Sequence, residues 1–132
     1  MESTRRNFLS FLLATPLAGL LPKKVAAQPE PQKVLINKFT VAGFQYYTGP
    51  KLIDFVRPGD SLLLAAEPNN RHDEFAVRIL YHDKHIGYVP RSDNRHISRL
   101  LQEKVRLACS VAEAHPASPP WEMLQIEVFL VS

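Results

Sequence analysis

The sequence predicts a mainly β protein, a small closed barrel of about six strands with one or two short helices. Three observations carry that expectation. The apolar runs are short and each is bounded by proline, glycine or asparagine turn signals. Only one stretch, the one that follows Pro90, has clear helical spacing. So little helix leaves the edges of such a sheet uncovered, and closing the sheet on itself removes them.

The first 27 residues form a separate segment. Arg5 and Arg6 precede a mostly apolar stretch from Phe8 to Leu21, and small residues at Val25 and Ala27 follow. This is the layout of a signal peptide cleaved after Ala27. The apolar stretch is short of the roughly 20 residues that span a bilayer, so no stable membrane span is expected after cleavage. The run from Thr4 to Leu9 has the form of a twin-arginine export signal, which predicts a periplasmic or otherwise exported protein. Residues 28–33, with Pro29 and Pro31, read as a flexible lead-in to a domain over 34–132.

Within that domain, Val34 to Tyr47 reads as one long strand with Gly43 as a bend or bulge, turned by Thr48-Gly49-Pro50. Lys51 to Phe55 reads as a short helix or an irregular segment. Arg57-Pro58-Gly59-Asp60 is a turn, and "SLLLAA" from Ser61 to Ala66 is a strand on its length. A polar loop, "EPNNRHDE", leads to a strand over Phe75 to Tyr81, which His82-Asp83-Lys84 turns into a hairpin with His85 to Val89. Pro90 has no N–H to donate and ends the pairing. Ser92 is placed to cap a helix running to about Lys104, with Ile97, Leu100 and Leu101 as its apolar stripe and Arg91, Arg95 and Arg99 on another face. Val105 to Val111 and Met123 to Val131 read as the closing strands, joined by the loop "HPASPPWE".

Charge and chemistry narrow the function. Arg5, Arg6, Lys23 and Lys24 against Glu2 account for the whole net charge of +3, so the remainder is balanced and the basic pI does not argue for a nucleic-acid partner. Its distribution is uneven: residues 91–106 are net +3 and residues 107–132 net −3, so an anion-binding surface would include the helix. Cys109, the single cysteine, closes no internal bridge and reads as a buried small hydrophobe. No phosphate loop, catalytic carboxylate pair or CxxC motif is present, which speaks against an enzyme. His72, His82, His85 and His96 lack metal-ligand spacing and read as solvated loop histidines, so neither a metal nor another cofactor is expected. What remains is a mixture of Tyr46, Tyr47 and Tyr88 for stacking, Arg91 and the helix arginines for phosphate, and the amides and Asp73 of the polar loop for hydrogen bonds. That mixture suits single-stranded nucleic acid.

Taken in order, "VAGFQYYTG", "PGDSLLLAAEPNNRHDEFAVRI" and "HIGYVPRSDNRHISRLL" resemble the HIRAN domain, over roughly Phe39 to Leu101. The module occurs at the N-terminus of helicase-like DNA remodellers and as a short stand-alone bacterial protein. The resemblance implies an OB-like β-barrel that grips the 3′ end of single-stranded DNA. It places base stacking on Tyr46 and Tyr47, the terminal hydroxyl on Asp73, and phosphate near Arg91. Gln45, His72 and Tyr88 stand where the family pattern has arginine, tyrosine and histidine, and with Arg95 they complete the expected site. The alternative expectation keeps the barrel but gives it an envelope ligand or an envelope protein partner. A hydrolase acting on acid anhydrides, as in the fused helicase relatives, is the least favoured.

Overall fold

The computed structural model describes residues 31–132. The expected signal peptide and the first residues of the lead-in lie outside them. Six strands form one antiparallel sheet: β1 (Lys33–Thr40), β2 (Ser61–Ala66), β3 (Val77–Tyr81), β4 (Lys84–Tyr88), β5 (Leu107–Ala114) and β6 (Leu124–Val131). Their order in the sheet is β1-β6-β5-β2-β3-β4. Among the described residues two helices, α1 (Gly49–Leu52) and α2 (Arg91–Gln102), and three short 3-10 turns accompany the sheet. Among the described residues no helix is long and apolar enough to cross a membrane.

Alternation fills the interior. Val77, Ile79 and Tyr81 of β3 are buried while Arg78 and Leu80 between them are not, and Leu124, Ile126 and Val128 of β6 are fully buried. Each such side chain contributes about 1.5–3 kcal/mol on leaving water. Cys109 belongs to this core, and burial pushes its thiol pKa up to about 12, which leaves it protonated and inert at neutral pH.

Three bulges bend the sheet. Each strand involved carries one extra residue opposite its partner: Ile36 in β1, Ile86 in β4 and Ala112 in β5. The curvature brings the two ends of the sheet together. Beyond β1 the chain pairs with β4 through reciprocal backbone hydrogen bonds between Ala42 and Tyr88, both 2.9 Å. Gly87 makes this approach possible, because a β-carbon there would strike Val41 Cγ1 and stand 2.6 Å from the Ala42 carbonyl oxygen. At the other end of β1, Lys33 pairs with Val131, and the Ser132 N–H donates to the Gln32 carbonyl at 3.0 Å.

Several expectations change. The long first strand stops at Thr40, since Gly43 turns into the left-handed region (φ 71°) and Phe44–Tyr46 form a 3-10 turn. The β3 strand begins at Val77 rather than Phe75. Its hairpin turn is His82-Asp83, both at positive φ, the geometry that matches the twist of two-residue hairpins. Ser92 does not cap α2. Pro90 holds the cap position with its fixed φ, and the Ser92 hydroxyl donates to Asp93 Oδ2 inside the first turn. That helix ends at Gln102, where Lys104 adopts φ 66° and the N–H groups of Lys104 and Val105 bond back to Leu101 and Leu100. The buried face of α2 carries Asn94 and Ser98 as well as Ile97, and Leu100 is only half-buried.

Replacing Gly87 by alanine is expected to destabilise the fold by about 3 kcal/mol, through overpacking against Val41 and a strained backbone. Urea denaturation reads this as a lower midpoint; an unchanged midpoint would mean that β4 and the Ala42 segment do not meet as described.

Candidate functional site

The site grows from the segment that closes the barrel. Phe44 drops its ring into the core at 1 % exposure, seated directly over Gly49, where a side chain would collide with it. With Phe44 pointing inward, the 3-10 turn places the next aromatic residues outside: Tyr46 is 77 % exposed and Tyr47 40 %. Both rings lean over Gly43, whose missing side chain would begin 3.6 Å from Tyr47 Cε2 and 3.9 Å from Tyr46 Cδ2. Strand alternation would have sent them to opposite faces. The end of the strand at Thr40 lets them share one.

Opposite lies the polar loop, which is organised by its own side chains. Asn70 Oδ1 accepts the N–H groups of His72 and Asp73 at 2.8 and 3.1 Å, and Asp73 Oδ1 accepts the Phe75 N–H at 2.9 Å. The other carboxylate oxygen of Asp73 accepts from the buried Asn94 amide at 2.8 Å and lies 3.6 Å from Arg91 Nε. Arg91 also donates to the His72 carbonyl at 3.2 Å. Helix α2 thus fixes the loop from behind, and the Asp73 side chain keeps 18 % of its surface open.

Between the two walls stands Tyr88. Its hydroxyl donates to Glu67 Oε1 at 2.9 Å, and the same oxygen accepts from Asn70 Nδ2 at 3.0 Å. Burial, then the Glu67 hydrogen bond, raises the phenol pKa to about 12. His85 stacks on Tyr47 with ring centroids 4.0 Å apart and meets Tyr88 edge-on at 5.0 Å. Burial lowers the His85 pKa below its ordinary value, so the ring is neutral at pH 7 and donates from Nε2 to the Gly87 carbonyl at 3.1 Å. His85 is therefore a half-buried member of an aromatic cluster, not a solvated loop histidine. Among the described residues no group of histidine, cysteine and carboxylates is placed to hold a metal ion.

These walls enclose a cavity of about 310 Å³. Of the residues expected from sequence, Tyr46, Tyr47, His72, Asp73, Tyr88 and Arg91 line it. Gln45 does not; it is half-buried, and its Oε1 is enclosed without a hydrogen-bond partner among the described residues. Arg95 lies outside as well, with its guanidinium carbon 4.6 Å from the centre of the Phe75 ring. Sequence reasoning missed Asn94, Glu67 and His85. Asn94 had a usable signal, because it interrupts the apolar face of α2 at helical spacing from Ile97 and Ser98; the other two depend on tertiary contacts, Glu67 with Tyr88 and His85 with Tyr47, that no local pattern reveals.

Alkaline titration of the protein should show Tyr88 ionising near pH 12, well after a free phenol. Since the unfolded chain loses this proton first, the contribution to stability is complete below pH 10 and disappears as pH rises toward 12. Glu67→Gln is expected to bring the Tyr88 transition down, read as the difference spectrum against Tyr88→Phe; an unmoved transition would remove Glu67 as a cause.

The comparisons with known proteins agree with this architecture. No curated protein matches the chain at a significant level. A protein from Lactobacillus plantarum is similar in structure, with a TM-score of 0.68 and 21 % identity over 78 % of this chain and 99 % of that one. The HIRAN domain of human HLTF is similar with a TM-score of 0.59 and 17 % identity over 76 % of this chain and 79 % of that one. The family model of the HIRAN domain matches residues 37–132, a range that includes the closing bridge, the polar loop, α2 and both final strands. The chain belongs to the HIRAN domain family.

Proposed function

We propose that this HIRAN domain binds single-stranded DNA by its 3′ end. HIRAN domains are DNA-binding modules. The observation that carries the finer reading is the single cavity in which two exposed tyrosine rings face a partly open carboxylate and an arginine. Tyr46 and Tyr47 offer π-faces to the last bases, a contact that tolerates any sequence. Asp73 already accepts one hydrogen bond on each oxygen, and a carboxylate has further lone pairs for a terminal hydroxyl. A 3′-phosphate in that place would meet like charge. Arg91, 75 % exposed at its side chain, is placed to approach the preceding phosphate.

Fluorescence anisotropy tests this with oligonucleotides ending in a free or a phosphorylated 3′ hydroxyl. The free end is expected to bind at least tenfold more tightly. Tyr47→Ala should lose about tenfold, from about 1–3 kcal/mol of stacking, and Asp73→Asn should reduce the discrimination between ends. Equal affinity for both ends, unchanged in Asp73→Asn, would overturn the reading.

We also propose that residues 1–27 direct export. Cell fractionation should find the shortened protein outside the cytoplasm, and the precursor inside when Arg5 and Arg6 are both changed to lysine. Full-length protein in the cytoplasm in both cases would overturn this.

A further inference from the structure

A second basic feature begins where the cavity ends. Arg95 and Arg99 follow Arg91 along α2 at four-residue steps, about 6 Å of helix each. Both are exposed, and both guanidinium groups lie over the same Phe75 ring, at 4.6 and 5.5 Å from its centre. Among the described residues neither has an ion-pair partner. The Phe75 main chain is tied to the cavity wall, its N–H bonded to Asp73 Oδ1, and its ring is half-buried.

A long arginine side chain normally loses much rotamer freedom when it engages a ligand. Stacking on a half-buried aromatic ring removes part of that cost in advance and leaves the N–H edges of the guanidinium free to bond outward. The helical step is close to the separation of successive phosphates along an extended single strand. Glu74 and Glu103 border the groove on the Arg99 side, so the favourable potential ends there.

We propose that Arg95 and Arg99, held on Phe75, form a track for the two phosphates that follow the one at Arg91 as a bound strand leaves the cavity. The inference rests on the proposed reading of the cavity as a site for single-stranded DNA. It gives the arginine face of α2 a direction: the strand runs from the 3′ end at Asp73 toward the C-terminal end of the helix.

The test compares a dinucleotide and a decanucleotide, both of thymidine with free 3′ hydroxyls, across a salt series. The dinucleotide carries a single phosphate, the one assigned to Arg91, and does not reach the track. Arg95→Gln with Arg99→Gln is expected to leave its affinity unchanged. The same variant should weaken the decanucleotide by about tenfold at low salt and make its salt dependence shallower by about 1.4 in log–log slope. Arg95→Lys with Arg99→Lys keeps the charge and should retain most of the slope, and thermal melting of all variants guards against misfolding. If the glutamine variant binds the decanucleotide as the wild type does, while Tyr47→Ala weakens both lengths, the cavity reading stands and the track is wrong. Equal losses at both lengths would also overturn the track, because the arginines would then be supporting the cavity itself. Failure of the wild type to bind either oligonucleotide would overturn both.

Discussion

The rest of the site depends on one short pairing, the bridge between Ala42 and Tyr88. It joins the two ends of a six-stranded order and is made of only two hydrogen bonds. The Tyr46–Tyr47 wall is attached just beyond Ala42, and Tyr88 belongs to the other half of the bridge. Closure of the barrel and assembly of the cavity are therefore the same event. The geometric condition for both is a bare backbone at Gly87, since no side chain fits between β4 and the arriving segment.

The opposite wall has a different source of order. Asn70 and Asp73 each spend side-chain oxygens on backbone N–H groups of their own loop, so the loop keeps its shape without regular structure. Asn94 then ties Asp73 to α2, while Asn37, displaced by the bulge at Ile36, donates to Asp93 and accepts from His96. Helix, loop and first strand are linked by polar contacts outside the apolar core. A cavity whose groups are held this way needs little rearrangement to receive a ligand, and that lowers the entropic cost of binding.

Much of this was legible in the sequence, and the limits have physical causes. The strand over Ser61 to Ala66 was legible because turn residues bracket a short apolar run, and the first arm of the hairpin at His82-Asp83 because it also keeps a period of two. The first strand was overextended because Phe44, Tyr46 and Tyr47 fit a strand in local propensity, and only the buried seat of Phe44 over Gly49 decides against it. Resemblance to a family located Tyr46, Tyr47, Asp73 and Arg91, which the fold does bring to one cavity. Gln45 and Arg95, also expected to bind nucleic acid, do not line that cavity, because a spacing along the chain does not say which way a side chain turns. His85 escaped for a related reason: half-burial and stacking on Tyr47 are tertiary facts, invisible in a hairpin flanked by polar residues.

The pairing of Lys33 with Val131 has a mechanical side. Because β1 and β6 are antiparallel and Gln32 meets Ser132, a pull applied through the two ends of the domain loads the hydrogen bonds of this strand pair one after another rather than together. Such a geometry peels at low force, beginning at Lys33 and running toward Thr40. The last contact reached is the bridge at Ala42, so tension would loosen the first strand while the aromatic wall still held its place. The ladder that holds the first strand at rest would give way stepwise under load, with the cavity at its protected end.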